Sequence, residues 1–431
     1  MRRVAITGLG AISALGVGVP AFWEGLVSGR SGVRRITRFD PSRHLAQVAA
    51  EVPEFDPAAY FDESLLALLD PFAQYALVAA DEACRDAGLE LSEDERDRAG
   101  VAIASAMGGV ATQDRGYQQI YGEGATRVDP FSIPRMMNNA AAAHVSMRHR
   151  LRGPTLSFAT ACSAAAHAIG EAAEIIRAGR ADVMLAGGTD APIVPGVVRA
   201  WESMRVLAPA AADPARTCRP FSRDRLGLVL GEGAGVVVLE SWERATARGA
   251  TILGELAGYG ATADAGHITQ PGTHSPARAI ATALAQAGLE PSEVDYVNAH
   301  GTATLLNDVT ETAVLKLAFG AHAPRLAISS TKAVHGHAMG ASAALEFIAA
   351  VLATRASVVP PTANYTDPDP ACDLDYVPNV ARAMPVRAAI SNSFAFGGLN
   401  AVLAIRAVSQ GSRGSEGAQS SQDARGAHRA P

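Results

Sequence analysis

Short apolar segments typical of buried strands alternate with alanine-rich helical segments along most of this 431-residue chain. The strand-like segments are 4–10, 100–106, 182–186, 235–240, 253–259, 294–298, 326–330, 387–392 and 401–406. The segments with helical spacing are 21–26, 64–87, 276–287, 308–318 and 341–354. Strands that alternate with helices predict an α/β protein whose sheets are covered on both faces.

The composition is that of a globular protein with a large core, because 48% of the residues are apolar and only 19% are charged. A net charge of -6 without a lysine or arginine run excludes a general nucleic-acid binder. The sequence contains no run of about 18 apolar residues, so no membrane span is predicted. The N-terminal residues also lack the apolar core of a signal peptide. The four cysteines form no CxxC pair, so neither a zinc site nor a disulfide framework is indicated. We therefore expect a cytoplasmic protein.

The order of strands and helices is similar in two halves of the chain that divide near residue 250. This similarity predicts an N-terminal half at 1–250 that carries a candidate nucleophile and a C-terminal half at 251–408 that carries two candidate histidines. Residues 409–431 are rich in serine, glycine, glutamine and charge. A segment of that composition cannot bury apolar surface, so we predict a disordered tail.

The stretch 155–172 holds the candidate nucleophile, Cys162. A short strand leads to Cys162, and small residues with helical spacing follow it to a predicted helix end near Gly179. Free backbone N–H groups and the positive end of the helix dipole favour a thiolate at such a turn. The alternative is a buried, inert cysteine, and this stretch alone leaves both interpretations open.

Two later segments place polar side chains after apolar strands, where ligand sites concentrate in α/β proteins. His300 begins a loop with glycine and threonine, although a structural histidine is also compatible with that position. Lys332, His335 and His337 precede a helix of small residues that contains Glu346. Zinc binding by the two histidines is conceivable, but their i,i+2 spacing without a nearby carboxylate is a poor zinc pattern.

A fourth strand-end segment, Asn392–Asn400, is rich in glycine and contains two phenylalanines. Aromatic residues flanked by glycine can form a mobile cover over an apolar pocket. The alternative is a tight turn with two core phenylalanines, which the sequence alone favours.

Taken together, four ordered motifs resemble the elongating β-ketoacyl-[acyl carrier protein] synthases across residues 2–407. The motifs are Thr160-Ala161-Cys162-Ser163, Asn298-Ala299-His300-Gly301-Thr302, Ser330-Thr331-Lys332 with Gly336-His337, and Asn392-Ser393-Phe394-Ala395-Phe396-Gly397-Gly398. The resemblance implies the thiolase-like fold, a duplicated α/β/α/β/α arrangement of five layers. It also implies a homodimer, or a heterodimer with a chain-length-factor-like subunit. An acyl carrier protein would be the partner, and its own 4'-phosphopantetheine would leave no need for a separate cofactor.

The same resemblance implies roles for individual residues. Cys162 would accept the acyl chain, and His300 with His337 would promote decarboxylation of a malonyl-carrier extender. Lys332 and Glu346 would orient the histidines. No metal ion is implied. The backbone N–H groups of Cys162 and Phe396 would form an oxyanion hole, and the Phe396 side chain would act as a gate. Thr302 and Thr304 would bind the phosphopantetheine arm. Met107 and Phe131 would line an acyl pocket near the dimer interface, and Arg205 would contact the docked carrier.

The sequence departs from the family pattern at several positions. Ala303 and Leu305 replace the usual glycine and proline, and His335 is an additional histidine. Ala395 replaces a gate glycine, which predicts an altered gate because alanine disfavours positive φ. The segment 62–70 is acidic and apolar where the family often offers basic residues to its carrier. These departures favour a specialised pathway, such as nodulation-signal or polyene lipid synthesis, over primary fatty acid elongation.

The predicted activity is a decarboxylating Claisen condensation in fatty acid, specialised lipid or polyketide synthesis, catalysed by an acyltransferase. One alternative is a non-catalytic subunit of a heterodimeric polyketide synthase, which typically lacks the cysteine that is present here as Cys162. The other alternative is a coenzyme A-dependent thiolase. Thiolases generally combine one histidine with a second cysteine, and neither late motif of this chain contains a cysteine.

Overall fold

The computed structural model describes residues 2–408, and the predicted tail at 409–431 lies outside these residues. The described chain alternates strands and helices, as the sequence predicts. The strands are β1 (Val4–Ser13), β2 (Gly16–Val17), β3 (Arg34–Arg35), β4 (Val48–Ala49), β5 (Ala99–Ala104), β6 (Thr155–Phe158), β7 (Val183–Asp190), β8 (Gly233–Ser241), β9 (Gly254–Ala263), β10 (Tyr296–Asn298), β11 (Ala327–Ser329), β12 (Val358–Val359), β13 (Arg382–Ala383), β14 (Ala388–Ala395) and β15 (Leu399–Arg406).

The helices fill the intervals between these strands and are connected by short 3₁₀ turns. They are α1 (Val19–Ser28), α2 (Glu63–Leu66), α3 (Pro71–Asp86), α4 (Glu93–Arg96), α5 (Val110–Tyr117), α6 (Ser132–Met136), α7 (Ala140–His149), α8 (Ala164–Arg177), α9 (Pro195–Ser203), α10 (Trp242–Ala247), α11 (His274–Ala287), α12 (Leu305–Phe319), α13 (Lys332–His335) and α14 (Ser342–Ala356).

Two halves of the main sheet repeat one strand order. The first half runs β6-β5-β7-β8-β1 and the second runs β11-β10-β14-β15-β9. Counted along the chain, both orders are third, second, fourth, fifth and first. The halves join through antiparallel pairing of β1 with β9, at Ala5–Glu255 and Ile6–Gly254. The repeated order agrees with the duplication that the similar halves of the sequence indicate.

The helices cover both faces of each half-sheet, which gives the structure five layers. Helices α8 and α14 pack between the two half-sheets in one apolar cluster that includes Ala102, Met184, Val237 and Leu403. The neighbouring positions on the same strands face outward, where α3 and α7 cover the first half-sheet and α11 and α12 cover the second. Because side chains alternate between the faces of a strand, apolar residues at consecutive positions serve both layers. This arrangement confirms the predicted five-layered α/β/α/β/α fold.

The central helix α14 carries apolar residues on all of its sides, which is typical of a helix buried in the core. Within residues 2–408, the stretch Met339–Ala356 alone has the length and composition of a helix that could cross a membrane. In this fold, 83% of that stretch is buried inside the protein. Its apolar character is therefore accounted for by the two half-sheets that it separates.

The prediction of one helix over 64–87 is wrong, because the structure divides it into α2 and α3. Pro71 occupies the first turn of α3, where its missing N–H costs nothing. The Asp70 side chain caps α3 by accepting a hydrogen bond from Phe72 N at 3.3 Å. The apolar periodicity continues across this break, so the hydrophobic pattern alone conceals it.

We expect Asp70→Ala to lower the free energy of unfolding by about 2–3 kcal/mol. The cap contributes about 1 kcal/mol of this loss. The rest arises because Asp70 is buried and also accepts hydrogen bonds from Thr112 N at 2.8 Å and Thr112 Oγ1 at 2.7 Å. Urea unfolding followed by circular dichroism measures the change. Asp62→Ala, at the exposed cap of α2, is the matched control with a clearly smaller expected loss, and equal losses would contradict the prediction.

Candidate active site

Cys162 lies where β6 passes into α8, as predicted. The strand ends at Phe158, residues Ala161–Ser163 form one 3₁₀ turn, and α8 begins at Ala164. Ala161 has a φ of 51°, a left-handed conformation that costs roughly 1–2 kcal/mol in a residue with a Cβ. This strained turn holds the Cys162 sulfur at the N-terminus of the helix, in the apolar cluster formed by residues such as Leu228, Met339 and Ala395.

His337 contacts the Cys162 sulfur, since its Nε2 lies 3.1 Å from Sγ. Its other ring nitrogen, Nδ1, accepts a hydrogen bond from the backbone N–H of Met339 at 3.1 Å and lies 2.9 Å from Ser342 Oγ. A backbone N–H can only donate, so Nδ1 carries no proton in the neutral ring. The proton of neutral His337 is therefore on Nε2 and points at Cys162.

His300 is held in the same tautomer by a different donor. Lys332 Nζ lies 3.3 Å from His300 Nδ1 and donates to the His300 carbonyl at 2.6 Å. An ammonium group has no acceptor, so Nδ1 of His300 must accept and Nε2 carries the proton. Burial, and to a lesser extent the charge of Lys332, lower the pKa values of both His300 and His337 well below the usual range, which keeps both rings neutral.

The sulfur of Cys162 and one ring nitrogen each of His300 and His337 lie within 4.8 Å of one another. This spacing is short enough for the three atoms to bind one metal ion. The donor chemistry does not fit a zinc ion. Zinc binds the lone pair of an imidazole nitrogen, whereas Nε2 of both histidines carries a proton and Nδ1 already accepts a hydrogen bond. The cluster instead presents two N–H donors beside a sulfur atom.

The ion pair of Lys332 with Glu346 lies behind the histidines and is fully buried. Burial raises the pKa of Glu346 to about 7, and the charge of Lys332 opposes this rise. The second carboxylate oxygen, Oε2, has no hydrogen-bond partner among the described residues. The pair therefore serves mainly to hold the ammonium group of Lys332 against His300.

The thiol of Cys162 is less acidic than its position at a helix N-terminus suggests. Burial raises its pKa to about 11, while the charge of Lys332 and the backbone N–H groups of Phe396 and Cys162 act in the opposite direction. The two N–H groups do favour the thiolate, as the sequence indicates, but the loss of water outweighs them. Cys162 therefore rests as a thiol at neutral pH.

A cavity of about 380 Å³ opens in front of the sulfur. Its walls include Cys162, His300 and His337, together with Thr302 and Thr304, whose hydroxyl oxygens are 2.9 Å apart. Arg205 and the residues Phe394, Ala395 and Phe396 also line the cavity.

The gate loop is shorter than predicted, because β14 continues to Ala395 and pairs directly with β15 at Leu399. Only Phe396, Gly397 and Gly398 form the turn, and the two glycines carry the positive φ values of 84° and 68°. Ala395 is an extended strand residue without a positive φ, so the reason for expecting an altered gate at this position does not apply. Ala303, which also replaces a usual glycine, does take the left-handed conformation, with a φ of 65°.

Two residues predicted for the acyl pocket, Met107 and Phe131, are not among the residues that line the cavity of this single chain. Met107 follows β5 and is half-buried. Phe131 precedes α6 and is 49% exposed. His335 also lies away from the cavity: it is buried, with Nε2 at 3.0 Å from Thr331 Oγ1 and no partner for Nδ1 among the described residues.

Three residues that support the site were not identified from the sequence. Asp190 accepts hydrogen bonds from Ser105 Oγ, Ala106 N, Met107 N and Gly340 N, and so ties the end of β5 to the loop after His337. Glu311 accepts from the N–H groups of His300 and Gly301 at 2.9 and 2.7 Å. Trp201 stacks on Phe396 with ring centroids 5.8 Å apart. Of these three residues, Asp190 alone has a feature that the sequence could have shown, because it is an acidic residue at the end of a buried strand, β7.

Comparison with known proteins agrees with this geometry along the chain. The N-terminal domain model of beta-ketoacyl synthases matches residues 1–245, and the C-terminal domain model matches residues 253–366. The chain is 49% identical to Nodulation protein E of Rhizobium sp. (strain N33) over 408 residues, which cover 94% of this chain and 99% of that protein. It is 43% identical to 3-oxoacyl-[acyl-carrier-protein] synthase 2 of Coxiella burnetii over 406 residues, which cover 94% and 98% of the two chains.

A solved structure is also similar over nearly the whole chain. It is described as a type II polyketide synthase acyl-carrier protein in complex with its ketosynthase bound to the hexaketide, with a TM-score of 0.87, 35% identity and coverage of 94% of this chain and 99% of that chain. Both halves of the present chain are thus matched by family models, and the relatives are matched over almost their full lengths. The chain therefore belongs to the beta-ketoacyl synthase family of condensing enzymes.

Proposed function

We propose that this protein condenses an acyl-carrier-protein thioester with malonyl-carrier protein, giving β-ketoacyl-carrier protein, CO2 and free carrier protein. The observation that carries the proposal is the pair of neutral histidines whose Nε2–H groups converge beside Cys162. This arrangement can stabilise an enolate oxygen with two hydrogen bonds without supplying a base strong enough to deprotonate carbon.

The first half of the reaction loads the acyl chain onto Cys162. As the sulfur of Cys162 forms its bond to the thioester carbon, the bond between that carbon and the carrier sulfur breaks. The thiol proton of Cys162 ends on the departing carrier sulfur, so atoms and charges balance. The oxyanion of the tetrahedral intermediate would accept hydrogen bonds from the backbone N–H groups of Cys162 and Phe396. Each such donor contributes about 2.7–4 kcal/mol in comparable acyl-transfer sites.

The second half forms the new carbon–carbon bond. The thioester oxygen of malonyl-carrier accepts from Nε2–H of His300 and His337, and loss of CO2 leaves its electron pair on the enolate. The enolate carbon then attacks the acyl-Cys162 carbonyl, and the bond from that carbon to sulfur breaks as the β-ketoacyl product forms. The sulfur leaves as a thiolate and takes up one proton from solvent, which restores the thiol. Thr302 and Thr304 line the path for the phosphopantetheine arm, and Arg205 stands at the mouth as a contact for the carrier. No cofactor beyond that arm is required.

Mass spectrometry of the protein mixed with acyl-carrier thioesters of several chain lengths tests this function. We expect the acyl mass on the peptide that contains Cys162, followed by its release as β-ketoacyl-carrier when malonyl-carrier is added. Absence of acylation with every carrier would favour a non-catalytic partner subunit. Condensation of acetyl units from coenzyme A thioesters would favour a thiolase.

The thiolase alternative receives little support from the positions of the other cysteines. Cys84 is half-buried, and Cys218 and Cys372 are buried in apolar clusters away from the cavity. Cys162 is thus the single cysteine that lines the cavity among the residues that the structure describes. A second cysteine at the reacting centre, which thiolases generally use, has no counterpart there.

We further propose that the protein forms a homodimer through β6 and acts in the cytoplasm. Within the described chain, β6 pairs on one side with β5 and ends the sheet, with Thr155, Leu156 and Ser157 exposed. An exposed sheet edge favours pairing with a second strand. A partner subunit at this edge would also bring Met107 and Phe131 toward an interface, in keeping with their proposed place beside the acyl pocket.

Leu156→Lys is expected to shift the protein from dimer to monomer. Leu156 is 41% exposed in the single chain, and the substitution places two like charges near the proposed two-fold axis, where they repel. Sedimentation velocity should give at least about a tenfold rise in the dissociation constant, equivalent to 1.4 kcal/mol. Leu45→Lys is the matched control at another exposed leucine. An unchanged dimer in the Leu156 variant would place the interface elsewhere.

We also propose that the pathway is a specialised one. The support is the 49% identity to a protein named for nodulation, against 43% to a 3-oxoacyl-[acyl-carrier-protein] synthase 2, together with the acidic segment 62–70. The test is genetic: this gene should fail to restore growth to a bacterium that lacks its primary elongating synthase. Full restoration would contradict the assignment.

A further inference from the structure

Large apolar side chains surround the mouth of the cavity and point into solvent. Leu226, Ile268, Leu305 and Leu306 are between 61% and 68% exposed, and Met204 is 44% exposed. All five line the same opening, in front of Cys162. We call these five residues the apolar collar. Single exposed leucines are common on protein surfaces, whereas a cluster of them around one opening is typical of an interaction site.

The leucines of the collar run against the local preferences of the fold. Leu305 and Leu306 occupy the first two positions of α12, directly after its cap Thr304. Acidic side chains or proline are favoured at those positions, because the helix dipole and the free N–H groups lie there. Two exposed leucines give up that stabilisation, and where a sequence departs from local preference without a folding benefit, a functional reason is expected.

The charges near the opening complete the pattern. Arg205 lies among the collar residues and is exposed. Among the described residues that line the cavity, Arg205 is the single lysine or arginine, and Asp264 is an acidic residue in the same lining. The described surface at the cavity mouth is therefore apolar with one cationic residue. It lacks a row of lysine or arginine residues that would attract a carrier protein with a strongly acidic helix.

We propose that the apolar collar is the docking surface for the substrate carrier protein, and that it selects a carrier with apolar rather than acidic residues beside its phosphopantetheine. This inference rests on the proposed function, because it is the carrier that must seat on the mouth to bring its thioester to Cys162. Apolar contacts at the centre of an interface supply most of the binding energy, while an exposed charge such as Arg205 sets orientation and association rate.

The test compares hexanoyl transfer to Cys162 from three donors. The donors are hexanoyl-pantetheine, a hexanoyl acyl carrier protein with an acidic docking helix, and the same carrier with two of those acidic residues changed to leucine. We expect the leucine carrier to exceed the acidic carrier at least about fivefold in kcat/KM. In the variant Leu305→Asp/Leu306→Asp, we compare kcat/KM for the leucine carrier with kcat/KM for hexanoyl-pantetheine. The ratio of these two values should fall at least about tenfold relative to the wild type.

The variants are chosen so that folding does not confuse the result. Aspartate is favoured in the first turn of a helix, so the double substitution is compatible with α12. Leu317→Asp, at a 53% exposed leucine on the same helix but away from the cavity, is the control and should leave the ratio unchanged. Equal use of both carriers by the wild type, or an unchanged ratio in the double variant, would overturn the proposal.

Two other occupants of the collar give different results. If the collar binds a lipid surface, the wild type will float with phosphatidylcholine vesicles and the double variant will not, which would overturn the carrier assignment. If it binds a second copy of the chain, the double variant will lose a dimer in sedimentation, with the same consequence. Failure of acyl transfer from every donor at every chain length tested, pantetheine included, would instead reject the proposed function itself.

Discussion

Cys162→Ala is expected to abolish acyl loading and to lower condensation at least about 10⁴-fold, because removal of a nucleophile eliminates the covalent route. Decarboxylation of malonyl-carrier should remain within about tenfold of the wild type. The reason lies in the tautomers: Lys332 and the N–H of Met339 hold the Nε2 protons of His300 and His337 whether or not the sulfur is present. Intact mass spectrometry measures loading, and release of labelled CO2 measures decarboxylation.

The reciprocal variant separates the two steps. His300→Ala should retain loading within about tenfold and lose about 10²–10³-fold in decarboxylation, which is typical of removing one donor to a developing oxyanion. Cys84→Ala, at a half-buried cysteine outside the cavity, is the control for thiol chemistry in general. Loss of decarboxylation in Cys162→Ala equal to the loss in His300→Ala would contradict the division of roles that we propose.

Lys332→Met is expected to have the largest effect on stability, lowering the free energy of unfolding by about 3–5 kcal/mol at pH 8. The variant leaves the Glu346 carboxylate buried without its cation. In the wild type the pKa of Glu346 is already raised by burial to about 7, and removing Lys332 raises it further. A carboxyl group whose pKa is raised by folding favours the folded state only while it is protonated. The free energy of unfolding is therefore retained at low pH and falls as pH rises through the pKa of the carboxyl group.

The loss of stability in Lys332→Met should therefore be smaller at pH 5 than at pH 8, and urea unfolding at the two values measures it. In the double variant Lys332→Met/Glu346→Gln, most of the stability should return, because no buried charge remains. Decarboxylation should stay at least about 10²-fold below the wild type in both variants, since His300 has lost the donor that holds its proton on Nε2. Recovery of activity in the double variant would show that Lys332 acts through stability alone.

Much of this protein is determined by local sequence. Nine of the ten strands in the two half-sheets coincide with a predicted apolar segment, and the tenth, β6, is the short strand predicted before Cys162. The turn at Cys162 follows from small residues between a strand pattern and a helix pattern. Local periodicity carries this information because each strand or helix must present apolar residues at its own spacing to be buried. The motifs that carry the family resemblance are also contiguous, which is why Cys162, His300 and His337 can be named as candidate site residues before any contact is known.

The apolar pattern predicts neither the break before α3 nor the extension of β14 to Ala395, since a continuous pattern does not mark a cap or a tight hairpin. Which atoms carry protons was decided only by the tertiary structure. The tautomers of the two histidines depend on Lys332 and Met339, and the pKa of Cys162 depends on how completely water is removed. Asp190 meets Gly340 across 150 positions of the chain. Contacts of that range follow from how the two half-sheets pack, and no periodicity in the sequence encodes them.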